Sequence, residues 1–216
     1  MEVDSPRLLF VVTEDWYFAS HRLPLALAAK RAGYAVAVAT RVHRHGELIR
    51  REGIELIALR RLRRSSLNPL RELAAIVELT GVVRRWRPGV VHLVALKPVL
   101  YGAVACRLAG GAARVNALAG LGFVFLAHTR LARALRPVVK RALRWTLGGA
   151  RAVTIVQNPD DRDLLVGQRL VEASHVRLIR GSGVDLGRFA PGVPAAPPIV
   201  LLMSRMLWDK GVGEFV

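Results

Sequence analysis

Cysteine is nearly absent. The lone Cys106 rules out an intrachain disulfide and any Cys-x-x-Cys metal site, and its apolar helical surroundings read as a small buried hydrophobe. Acidic residues are also scarce. Asp and Glu total 16 against 33 Lys and Arg, a formal charge of +17 in a chain of 216 residues. Such a field favours anionic partners and says nothing about the fold. No run reaches the ~18 consecutive apolar residues that a membrane span needs. The longest candidate, 90–109, is interrupted by His92, Lys97, Pro98 and Arg107. The N-terminus has no secretory leader pattern either: Glu2 and Asp4 stand where a basic n-region belongs, and the apolar run 8–12 is too short. The expected setting is cytoplasmic, with association at the inner face of a membrane left open.

What the chain does have is regular alternation. Short apolar, β-branched runs at 7–13, 34–40, 54–59, 90–95, 113–118, 152–156 and 176–179 read as strands buried on both faces. Helical patterns at 21–31, 47–52, 69–86, 98–108, 130–147 and 160–170 separate them. Alternation with short connections specifies the α/β class, a doubly wound parallel sheet with helices on both faces. Ligands of such sheets bind beyond the carboxyl ends of the strands, so the loops 14–20, 41–46, 60–68, 96–97, 119–128, 157–159 and 181–188 deserve inspection. A Pro-rich stretch, 191–198, separates a domain 1–190 from a second unit, 199–216, whose run 199–203 reads as a new buried strand.

Several loops carry side chains suited to chemistry. Glu14-Asp15-Trp16-Tyr17-Phe18-Ala19-Ser20-His21 combines carboxylates for hydroxyls, rings for a sugar face and an imidazole for proton transfer. Capping by Ser20 and simple aromatic packing is the competing reading. No G-x-G-x-x-G follows the first strand, which argues against a dinucleotide enzyme. Lys97 falls at a strand end. Asn116, Gly120 and Gly122 follow the fifth strand, and Gly183 sits in a Gly-rich turn. Asn158-Pro159-Asp160-Asp161 is accounted for as a helix start. Arg130, Arg133, Arg136, Lys140, Arg141 and Arg144 share one face of helix 130–147, a basic amphipathic surface suited to anionic lipid or to plain solvation. Pro137 should kink that helix or mark a restart. Arg205 and Lys210, beyond the run 199–203 and flanked by glycines, suit a diphosphate.

The stretches EDWYFASHRLPLALAAKRAGYAVAVAT, HLVALKPVLYGAVACRLAG, NALAGLGFVF, QNPDDRDLL, IRGSGVDLGRFAP and SRMLWDKG together resemble GT-B glycosyltransferases of the family-four type. The resemblance implies an acceptor-binding N-terminal lobe followed by the opening of a nucleotide-sugar lobe, with Arg205 and Lys210 on the donor diphosphate. It implies sugar transfer from a nucleotide-sugar to a lipid-linked or polysaccharide acceptor in bacterial cell-surface glycan synthesis, with retained anomeric configuration and no metal ion or other cofactor. The family's paired donor-site glutamates lie deep in the C-terminal lobe, past the stretch present here, and the His that many members carry after the fifth strand is absent; His21, from the 14–21 stretch, is a catalytic candidate, and the chain alone is expected to be inactive or nearly so. The alternatives are a GT-B sugar-nucleotide epimerase and a non-catalytic basic binding module. The module's charge would suit nucleic acid, but no recognisable nucleic-acid motif is present, and none is expected as a partner.

Overall fold

The computed structural model describes residues 5–64, 68–118, 130–187, 189–193, 196–204, 206 and 208–216, with backbone alone at 130–136 and 209. It divides into two compact units, Met1–Ser182 and Gly183–Val216.

The first unit is built on a seven-stranded, all-parallel sheet in the order β3-β2-β1-β4-β5-β6-β7. The strands are β1 (Arg7–Glu14), β2 (Ala35–Arg41), β3 (Glu55–Ala58), β4 (Val90–Val94), β5 (Ala113–Leu118), β6 (Ala152–Val156) and β7 (Val176–Leu178). The helices are α1 (Asp15–His21), α2 (Leu23–Arg31), α3 (Gly46–Arg51), α4 (Pro69–Trp86), α5 (Leu96–Leu108), α6 (Arg130–Leu147) and α7 (Pro159–Gly167). Uninterrupted apolar strands are what two-sided coverage requires. Leu9, Val11, Val91 and Leu93 pack with Leu79 and Val83 of α4, Val99 and Cys106 of α5 and Leu143 of α6. Phe10, Val12 and Val38 face the other way, onto Phe18 of α1, Ala26 of α2 and Ile49 of α3. Burial pushes the Cys106 thiol up to about 11, as befits an inert core residue.

Local chemistry sets the helix starts. Asn68 accepts from the N–H groups of Leu70 and Arg71 at 3.0 and 3.3 Å, with Pro69 at the first helical position. Asn158 does the same for Asp161 at 2.7 Å, as its sequence context predicts.

Some expectations from the sequence are not met. Residues 15–21 form a helix, not a loop, because Phe18 locks into the core at 0% exposure with its ring 5.6 Å from that of Phe10. Helix α6 runs through Pro137 as one element, so the residue does not mark a helix restart. The run 199–203 forms no strand, and Ile199, Val200, Leu201 and Met203 are all exposed. A parallel strand needs a neighbour to take its ladder hydrogen bonds, and no strand exists among the described residues of the second unit. That unit instead holds a 3₁₀ turn, Trp208–Lys210, and α8 (Val212–Phe215).

Candidate functional site

In an open parallel sheet, the strand order reverses at one point, and loops there diverge to opposite faces to leave a crevice. Here β1 connects away to β2 and β3 on one side, while β4 lies on its other side. A cavity of about 250 Å³ opens at the carboxyl ends of these two strands, lined by Val12, Thr13, Glu14, Trp16, Tyr17, Arg64, Val94 and Ala95. Valine and alanine side chains line it beside Thr13, Trp16 and Tyr17; its charged groups are one carboxylate and one guanidinium.

Glu14 and Asp15 are adjacent but do different jobs. The Glu14 carboxylate lines the cavity, 3.0 Å from Nε2 of His43 and 3.9 Å from a guanidinium nitrogen of Arg41. Asp15 is fully buried. Its Oδ2 accepts the backbone N–H groups of His43 at 2.6 Å and His45 at 2.9 Å, which ties the loop after β2 to the start of α1. Its Oδ1 has no hydrogen bond among the described residues and lies 4.0 Å from Nδ1 of His45. Charge-assisted bonds to backbone N–H groups are the strong kind, so Asp15 is a structural clamp placed one residue behind the wall of the cavity.

The aromatic run divides in the same manner. Phe18 is core. Trp16 is 43% exposed and lines the cavity, its ring edge-on to Tyr17 at 5.7 Å. Tyr17 stacks on His21 with centroids 4.4 Å apart and planes 5° from parallel. The helical rise thus carries His21 away from the cavity, and it does not line it. Its Nδ1 meets Ser20 Oγ at 2.6 Å and its carbonyl accepts from Ser182 at 3.2 Å.

Ala95 closes the far wall in an unusual backbone state, φ 76° and ψ 167°. A side chain at Cβ makes this region unfavourable by roughly 1–3 kcal/mol, and such residues concentrate at functional sites. Its N–H is fixed by the Ala117 carbonyl at 2.9 Å, and the kink turns β4 directly into α5.

Two other strand-end candidates lie off the cavity. Lys97 is held in an ion pair with Glu72 at 3.0 Å and donates to the Arg63 carbonyl at 3.1 Å. Burial, and after it the same Glu72, raises the Tyr101 hydroxyl pKa. Asn116, read from the sequence as a residue at the end of the fifth strand, sits inside β5 at 0% exposure, paired in register with Thr154. Among the described residues, neither the Asn116 amide atoms nor Thr154 Oγ1 has a hydrogen-bond partner. Gly183 (φ 68°) and Lys210 belong to the second unit, where Lys210 ends the 3₁₀ turn. Gly120, Gly122 and Arg205 lie outside the described residues.

Sequence reasoning missed two wall residues. Arg64 is hidden in the basic run 60–64, although it follows β3 at the productive end of the sheet. Ala95 carries no glycine to advertise its positive φ. A third buried group, His92, is offset from the site: it sits under Phe10 at 5.1 Å, and burial with nearby Arg22 lowers its pKa to about 4.

The described residues contain no cluster of His, Cys, Asp or Glu able to hold a metal, and no helix among them is long and apolar enough to cross a membrane. On α6, Val138 and Trp145 are exposed beside Arg141 and Arg144, and the Arg107 guanidinium lies 3.9 Å from the Trp145 ring centroid.

Comparison with known proteins agrees with this geometry. Residues 7–158 match the family described as glycosyl transferase 4-like. Over 208 residues the chain is 24% identical to the N,N'-diacetylbacillosaminyl-diphospho-undecaprenol alpha-1,3-N-acetylgalactosaminyltransferase of Campylobacter jejuni, covering 90% of this chain and 54% of that protein. Among solved structures, sucrose-phosphate synthase from Thermosynechococcus elongatus superposes with a TM-score of 0.63 at 16% identity, covering 87% of this chain and 50% of that one. Anabaena Alr3699/HepE, in complex with UDP and glucose, gives 0.56 at 13% identity over 84% and 46%. These structural likenesses establish the shared Rossmann-like GT-B fold. The chain spans about half the length of the relatives it matches.

Proposed function

The chain belongs to the glycosyl transferase 4-like family, and we propose that its switch-point cavity is the acceptor site of a transferase acting on a lipid-linked glycan. The donor in this reading is a nucleotide-sugar. The observation that carries the proposal is the cavity at the ends of β1 and β4, where a carboxylate, an exposed indole and a strained wall residue converge. Glu14 accepts hydrogen bonds from sugar hydroxyls. Trp16 offers a flat apolar surface to a sugar face, and Arg64 brings positive charge. The Campylobacter relative's name specifies a diphospho-undecaprenol acceptor and an alpha linkage. An alpha product is what a retaining transfer from an α-linked nucleotide-sugar gives, so retention is part of the proposal. No metal is.

Further parts of the reading concern the rest of the chain. Arg205 and Lys210 are proposed as contacts to the donor diphosphate. His21, stacked on Tyr17 away from the cavity wall, is not retained as the catalytic group. The exposed strip of α6, with Val138 and Trp145 among arginines, is proposed to rest on anionic lipid at the inner membrane face, apolar side chains entering and guanidinium groups meeting headgroups. The cell-surface glycan role follows from the lipid-linked acceptor.

Acceptor binding tests the core of this proposal. Isothermal titration of purified residues 1–216 with a short-chain analogue, citronellyl-diphospho-N-acetylglucosamine, should show one saturable site. Trp16→Ala should weaken it by on the order of tenfold, the worth of one aromatic platform. Failure of the wild-type chain to bind sinks the proposal.

A further inference from the structure

We infer that Arg64 is the residue through which this cavity recognises a phosphate group on the acceptor, an inference that rests on the acceptor reading above and adds a specificity determinant to it. The support lies in how the chain delivers Arg64 to the cavity wall.

The segment 60–63 is held residue by residue. The N–H groups of Arg60 and Arg61 donate to the two oxygens of the Glu78 carboxylate at 2.8 and 2.9 Å. Leu62 is fully buried in the core. The Arg63 carbonyl accepts from Lys97 Nζ at 3.1 Å, and Lys97 is itself fixed by Glu72 at 3.0 Å. Helix α4 supplies both glutamates and α5 the lysine, so rigid elements on either side clamp the loop. Arg64 is the next residue, and it lines the cavity.

Such clamping has a chemical consequence. A long cationic side chain on a free loop loses much of its binding energy to ordering; one whose backbone is fixed in advance loses less. The Arg64 side chain makes no hydrogen bond or ion pair with any described residue, while its carboxylate neighbour in the cavity, Glu14, is already engaged by His43 and Arg41. An unneutralised guanidinium beside a small, partly apolar cavity selects a planar or tetrahedral oxyanion, which it grips with paired N–H donors. A neutral sugar has no use for that charge. A sugar joined to its carrier through a phosphate or diphosphate does, and the switch-point geometry places sugar-binding groups (Glu14, Trp16) and the cation in one cavity.

The same chemistry could come from the donor's diphosphate, and the experiment separates the sources. Affinities of residues 1–216 are measured for citronellyl-diphospho-N-acetylglucosamine, for octyl N-acetylglucosaminide and for UDP, in wild type, Arg64→Gln, Arg64→Lys and the control Arg60→Gln. Circular dichroism confirms folding of each. The inference predicts that wild type prefers the diphosphate probe to the neutral glycoside by on the order of tenfold or more, that Arg64→Gln loses far more affinity for the diphosphate probe than for the glycoside and so abolishes the preference, and that Arg64→Lys restores part of it. Arg60→Gln should match wild type. Equal binding of both sugar probes by wild type and Arg64→Gln overturns the role of Arg64 and leaves the acceptor cavity standing. A loss confined to UDP binding overturns it in favour of the donor. Binding of neither sugar probe by wild type overturns both readings.

Discussion

The Oδ2 atom of Asp15 accepts the backbone N–H of His43 at 2.6 Å, joining the first residue of α1 to a loop 28 positions later in the chain. This bond and its companion to His45 hold the wall behind Glu14 in place without touching the cavity. Adjacent carboxylates are thereby assigned to separate tasks, and mutation should distinguish them.

Asp15→Ala leaves the part-buried N–H groups of His43 and His45 without acceptors. We expect a loss of about 2–4 kcal/mol in urea unfolding, the cost of removing charge-assisted bonds from a buried site. Glu14→Gln should change stability by less than about 1 kcal/mol, since its ion pairs are partly solvated, while weakening acceptor binding. Equal destabilisation by both substitutions would contradict this division.

His92 gives the fold a pH dependence. Its folded pKa of about 4 lies below its ordinary 6.5. Between those values the unfolded chain binds a proton that the folded one does not, so stability falls as pH drops from 6.5 towards 4. The loss from this group approaches about 3 kcal/mol at the acid end. His92→Phe, which keeps an aromatic against Phe10, should flatten that part of the stability profile. An unchanged slope between the two proteins would remove His92 as its source.

Ala95 is the strained wall residue. Ala95→Gly should raise the thermal midpoint modestly, because release of roughly 1–3 kcal/mol of strain exceeds the entropy that glycine adds to the unfolded chain. Ala95→Val should lower it sharply. A glycine variant less stable than wild type would show that the Cβ earns its place through packing instead.

The exposed strip of α6 makes a prediction about surfaces. In flotation, the chain should be recovered with vesicles rich in anionic phospholipid and not with purely neutral ones, and Trp145→Ala combined with Val138→Ser should reduce recovery several-fold. Equal recovery with both vesicle types would remove lipid charge from the account.

Much of the fold is legible in the residues. The β-branched runs of β1, β2, β4, β5 and β6 can be read because both faces of a parallel strand are buried, and Asn158-Pro159 announces its helix. The site is only half legible. Glu14 and Trp16 can be found because a strand end followed by carboxylate and indole is unusual. Arg64 is indistinguishable from its arginine neighbours until the clamp by Glu78 and Lys97 is seen. Asn116 and Lys97 look like cleft residues because composition does not fix where a strand ends: Asn116 lies inside β5 and Lys97 in the first turn of α5. Residues 199–203 look like a strand because hydrophobicity alone does not supply the neighbour that a strand requires.

The most direct test of the central claim is where an acceptor analogue binds. A titration of ¹⁵N-labelled chain with citronellyl-diphospho-N-acetylglucosamine should shift the amides of Thr13, Glu14, Tyr17, Arg64 and Ala95 and the indole N–H of Trp16, all lining the cavity at the ends of β1 and β4. Shifts gathered instead at the amino end of the sheet, around Arg87, Gly110 and Arg151, would contradict it.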